Sequence, residues 1–89
     1  MQNRRSFKVG DLVRIIDIYK KNYSLTGEGS IGRILYVSTK GYIDVRFHKN
    51  NLTGNDAEHY HKEYFEYPFK YEEIEILKSS KKTHLPEFL

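Results

Sequence analysis

The sequence predicts an all-β domain in which five short strands wrap into one small barrel. Apolar residues recur with period two in segments rich in Ile, Val, Tyr and Phe, and no stretch keeps the i, i+3, i+4 spacing of a long helix. The chain has 89 residues and 10.6 kDa, which allows one core and no second domain. Its strands are short, and closing the sheet is how a short antiparallel sheet hides its edges.

The elements follow in order. Met1 to Ser6 is polar and basic without periodicity and reads as a flexible tail, residues 7–77 read as the barrel, and 78–89 as a second flexible basic tail. Gly10-Asp11 is a turn into a strand over Leu12 to Ile18, where Val13 and Ile15 share one face and Leu12, Arg14 and Ile16 the other. A long polar loop, 20–30, ends with Gly27 and Gly29, and Gly32 follows just beyond it. Strand two runs from Ile31 to Ser38, and a tight turn at Thr39-Lys40-Gly41 leads to strand three. There Ile43, Val45 and Phe47 alternate with Tyr42, Asp44, Arg46 and His48. Residues 49–59 are loop formers and make an insertion between strands three and four. A fourth strand or extended stretch lies near Tyr60 to Tyr67, and Pro68 ends it or holds it at an edge. A helix over 56–66 is an open alternative, since it would set Tyr60 and Tyr64 one turn apart. Phe69 to Glu73 fits a single helical turn, and Ile74 to Leu77 a short closing strand.

Charge and composition bound the function. The net charge is +3, but residues 1–50 hold 10 basic and 4 acidic side chains, 51–77 hold 2 and 7, and 78–89 hold 3 and 1. A basic front and an acidic back suit either an acidic partner or a two-sided adaptor. Cysteine is absent, which excludes disulfides, thiolate metal sites and cysteine nucleophiles and points to a reducing compartment. The apolar run from Leu12 to Tyr19 is broken by Arg14 and Asp17 and is too short for a membrane span, so the expectation is a cytoplasmic protein with no membrane partner. Lysine exceeds arginine ten to five, a bias common in proteins of AT-rich bacterial or phage genomes.

Gly27-Glu-Gly29-Ser-Ile-Gly32 fits G-x-G-x-x-G, yet the residues after it are β-branched and strand-like, so the helix N-terminus that would hold a phosphate is missing. Glycines here serve positive φ and close backbone approach where the chain enters a strongly bent strand. Phe7-x-x-Gly10-Asp11-x-Val13-x-Ile15, Gly29-x-x-Gly32-x-Ile34, Val45-x-Phe47 and Phe69-x-x-x-Glu73-Ile74-Glu75-Ile76 together resemble the SH3-like small barrels, particularly the KOW-type group and the variable chain of ferredoxin-thioredoxin reductase. The resemblance spans nearly the whole barrel and implies the fold. It also implies a binding module, which contacts a nucleoprotein machine in the first group and a partner protein in the second.

Two sets of residues carry the candidate sites. With Val13, Ile34 and Val45 inward, Arg14, Arg33 and Arg46 point outward from three consecutive strands, joined by Tyr42 and by Lys40 in the adjacent turn. Guanidinium groups in a row hold phosphates bidentately, and Tyr42, with Tyr19 or Tyr23, offers faces for unpaired bases. The competing expectation is that Asp17, Asp44 and Glu75 simply pair with these arginines across strands. The second set, Tyr60, Tyr64, Tyr67 and Tyr71, lies in an acidic segment and suits a protein contact, while Phe65 and Phe69 belong to the core. In a strand, His59, His61 and Glu63 would share a face, a geometry that permits metal ligation, although solvated loop residues explain them more simply. Ser24, Ser30 and Ser38 have no evident base and orienting acid. The sequence therefore reads as a non-enzyme with no cofactor, no bound metal and no small-molecule substrate. Its partner is nucleic acid or a nucleoprotein complex, or alternatively a protein.

Overall fold

The computed structural model describes residues 7–16 and 25–79. Asp17, Tyr19, Tyr23, Ser24, residues 1–6 and residues 80–89 lie outside them, whereas Lys78, expected in the second tail, pairs with Leu12 in the last strand. Five antiparallel strands make one sheet: β1 (Leu12–Ile15), β2 (Ile31–Val37), β3 (Tyr42–His48), β4 (Tyr64–Lys70) and β5 (Ile74–Lys78), in the order β4-β3-β2-β1-β5. There is no α-helix among the described residues; short 3-10 turns cover Lys49–Asn51, Ala57–His59 and Tyr71–Glu73. The strand alternative for the fourth segment holds over the helical one, but it begins at Tyr64 and takes Pro68 inside it. The ladder does not close. β4 and β5 are its two edges, joined by the turn at Tyr71–Glu73.

Period-two burial builds the core. Val13, Ile15, Ile34, Ile43, Val45, Phe47, Phe69 and Ile74 are all buried, with Phe7 and Leu52 closing the ends of the same cluster. Phe47 meets Phe69 edge to face at 5.8 Å, and Phe65, Tyr67 and Phe69 form a ladder along the inner face of β4, with ring centroids 5.9 and 5.2 Å apart.

β2 turns the sheet around this core by two devices. Gly32 is buried where β3 crosses closest; a Cβ there would lie 2.5 Å from the Arg46 carbonyl oxygen and 2.7 Å from Val45 Cγ1. A bulge between Ile34 and Tyr36 then puts one extra residue, Leu35, into β2. Simple alternation from the buried Ile34 would send Tyr36 inward. The bulge turns it out and brings Val37 onto the core instead.

The insertion after β3 is laced to the end of the first loop. Buried Ser30 accepts from the backbone N–H groups of Gly27 (3.2 Å) and Thr53 (3.0 Å), and its hydroxyl shares a 2.9 Å hydrogen bond with that of Thr53. Thr53 donates onward to the Glu28 carbonyl, and Gly54 N–H to that of Leu25. Gly29 sits in this loop at φ +93°, a left-handed conformation that favours glycine.

Candidate nucleic-acid interface

The outer face of β2-β3-β4 is set by register. Arg33 pairs with Arg46, Tyr36 with Asp44 and Asp44 with Pro68, while Tyr42 pairs with Lys70, Arg46 with Glu66 and His48 with Tyr64. Directly opposed residues on one face stand about 5 Å apart at Cβ and diagonal ones about 7–8 Å. Tyr36 and Tyr42 are therefore diagonal neighbours, with Asp44 beside both.

The three arginines point where the alternation places them, but their guanidinium groups are engaged. Val13, Ile34 and Val45 are buried as the alternation requires. Arg14 binds Glu75 on β5 through Nε (2.8 Å) and Nη2. Arg46 donates to Glu66 on β4 from Nε (2.9 Å) and Nη2 (2.7 Å), and lies over the Tyr64 ring, 5.2 Å from its centre. Arg33 is half-buried and turns away from its register partner Arg46, donating from Nη1 to the Gly10 carbonyl at 3.0 Å. That bond fastens the Gly10-Asp11 corner, which also meets β2 through Gly10 N–H to Ile34 O and Ile34 N–H to Asp11 O. Of the cross-strand partners expected for the arginines, Glu75 fills the role and Asp44 does not; Glu66 fills it for Arg46.

Lys40 and Tyr42 differ from the arginines. Lys40 is exposed in the β2–β3 turn, where its N–H is held by Ser38 Oγ at 2.9 Å. Its ammonium makes no ion pair with a described residue, and neither does that of exposed Lys70 across from Tyr42. Tyr42 is 47% exposed and Tyr36 57%. Tyr36 and Lys70 escape a period-two reading of the sequence, one because of the bulge and the other because β4 runs past Pro68.

The four tyrosines of the acidic segment do not form one surface. Tyr64 lies on the outer face of β4 and Tyr67 on the inner one. Tyr60 and Tyr71 pack half-buried against the core, and the Tyr60 hydroxyl donates to the Tyr64 carbonyl at 2.7 Å. His59 ends a 3-10 turn and His61 follows outside any strand, so neither shares a strand face with Glu63. Among the described residues, no group of three or more His, Cys, Asp or Glu is arranged to hold a metal ion. Among the same residues, no helix is long and apolar enough to cross a membrane. The insertion carries a depression of about 450 Å³ lined by residues including Lys49, Asn50, Asn55, Glu58 and Tyr60.

Compared with protein-family models, curated proteins and solved structures, the chain has no match.

Proposed function

We propose that this chain is a non-catalytic binding module of the SH3-like small-barrel type that takes single-stranded nucleic acid on the outer face of β2-β3-β4. The four-strand meander, the fifth strand paired to the first, the bulged β2 and the single 3-10 turn before β5 support the fold assignment. The observation that carries the binding reading is the pair of exposed rings, Tyr36 and Tyr42, set beside two ammonium groups, Lys40 and Lys70, that no carboxylate of the described residues neutralises. Rings of this kind stack unpaired bases, and flanking cations hold the phosphates between them. Arg46 extends the cationic edge, because exchanging an exposed carboxylate partner for a phosphate costs at most about 1 kcal/mol. Arg14 and Arg33 contribute less, one paired at the far β1–β5 ladder and the other holding a backbone corner.

Fluorescence anisotropy with labelled single strands tests this. Binding should weaken linearly on a log–log plot of affinity against salt. Tyr36→Ala and Tyr42→Ala should each cost about 1–3 kcal/mol of binding, and Lys40→Ala and Lys70→Ala should each reduce the salt slope by roughly one charge's share. No binding at low salt would overturn the reading. A stoichiometric protein partner recovered equally from nuclease-treated and untreated lysate would replace it with protein docking.

A further inference from the structure

The site contains a group that a phosphate-binding surface should not have. Asp44 stands at the centre of the face, with Tyr36 directly opposite on β2, Pro68 directly opposite on β4 and Tyr42 two positions along β3. It is half-buried and makes no ion pair with a described residue. The two unpaired cations lie to one side of it, Lys40 in the turn and Lys70 opposite Tyr42. A bare carboxylate repels phosphate, so the sugar-phosphate backbone is confined to the lysine rim. What lies over Asp44 must then offer hydrogen-bond donors.

We infer that Asp44 reads the edge of a base stacked between Tyr36 and Tyr42, and that the base it selects is guanine. An ionised carboxylate only accepts hydrogen bonds, and it accepts two at once from a donor pair of matching spacing. Guanine presents such a pair, N1–H and N2–H, on its Watson–Crick edge. Adenine and cytosine present a single exocyclic amino group beside an acceptor that opposes the carboxylate, and thymine or uracil presents one imide N–H between two carbonyls. That edge is exposed only in an unpaired strand, where recognition by stacking and edge contacts is the rule. The partial burial of Asp44 strengthens the discrimination, because a carboxylate covered without donors loses its hydration and gains nothing in return.

This assignment rests on the nucleic-acid reading above, and one experiment separates the two. Short thymidine oligonucleotides carrying one central guanine, inosine, adenine, cytosine or thymine are titrated by anisotropy against the full chain, together with a duplex of the guanine strand. The guanine strand is expected to bind about tenfold tighter than the thymine strand, the range of one bidentate base contact. The inosine strand, which lacks the N2 amino group, should lose most of that gain. Asp44→Asn, which places a donor where an acceptor is needed, should abolish the preference, the guanine and thymine strands then binding alike. Binding of all five strands with equal affinity, or a duplex bound as well as its single strand, overturns the assignment to guanine and leaves a sequence-blind site. Failure of every oligonucleotide to bind overturns the nucleic-acid reading and this assignment with it.

Discussion

Single residues carry more of this fold than their size suggests, and Gly32 is the clearest case. Its missing side chain is the space through which β3 passes, so a methyl group would meet the Arg46 carbonyl, Val45 Cγ1 and Phe47 Cδ2 at 2.5, 2.7 and 2.9 Å. Backbone cannot swing aside as a side-chain tip can. Gly32→Ala is therefore expected to destabilise the domain by about 1–3 kcal/mol or more, read as a lower urea midpoint, whereas the same change at an exposed, ordinary position stays within about 0.5 kcal/mol. An unchanged midpoint would mean that β2 and β3 have room to separate. Arg33 works at the same scale in the opposite sense. The sequence shows an arginine on the outer face of a strand, but not that its guanidinium turns back to hold the Gly10 carbonyl. Two residues from distant segments meet there, and periodicity has no term for that.

Among the elements, β4 is the one whose sequence and structure differ most instructively. Lys49 N–H bonds to Glu63 O just before the ladder, which sets the phase of the antiparallel pairs and leaves the backbone groups of Tyr64, Glu66, Pro68 and Lys70 facing the open edge. That edge is guarded. The Tyr60 hydroxyl takes the Tyr64 carbonyl, Pro68 has no N–H to offer, and Lys70 N–H is held by Glu73 Oε1 at 2.9 Å. Combining Tyr60→Phe with Pro68→Val removes two of the three guards without emptying the core. The double variant should associate with itself as concentration rises, seen as a growing mass in sedimentation velocity under conditions where the wild type keeps one mass. A double variant that sediments like the wild type at every concentration would show that the edge needs no guarding. The buried positions of β1, β2 and β3 up to the bulge were legible from alternation, because Val13, Ile15, Ile34, Ile43, Val45 and Phe47 are buried in phase, although β1 ends at Ile15 and leaves Ile16 outside it. The proposed binding face was legible only in part. Lys40 and Tyr42 follow from a hairpin with a tight turn, whereas Tyr36 depends on a bulge at Leu35 that no residue pattern announces. Lys70 depends on a strand continuing through proline, and Glu66 as the partner of Arg46 depends on the β3–β4 register.

At the scale of the whole molecule, the strand order rearranges the charge that runs basic then acidic along the chain. β4 and β5, from the acidic part of the chain, fall at the two ends of the sheet, beside β3 and β1 from its basic part, so that Arg46 meets Glu66 and Arg14 meets Glu75. The dipole written in the sequence is thus partly cancelled in space, and what remains uncompensated on the described sheet includes the lysines at the Tyr42 end. Both ion pairs are exposed, each worth at most about 1 kcal/mol. Raising sodium chloride from low to molar concentration should therefore move the urea midpoint little while strongly weakening the proposed nucleic-acid binding; a stability loss as large as the binding loss would mean that charge, not the apolar cluster, holds the sheet together. The strand order also has a consequence in time. β2, β3 and β4 follow one another, so each finds its neighbour as soon as it is made, but β1 closes onto β5 across a separation of 61 positions from Arg14 to Glu75. On the ribosome, the first strand to emerge waits for the last, and every nascent chain of this protein spends its synthesis with one side of β1 bare.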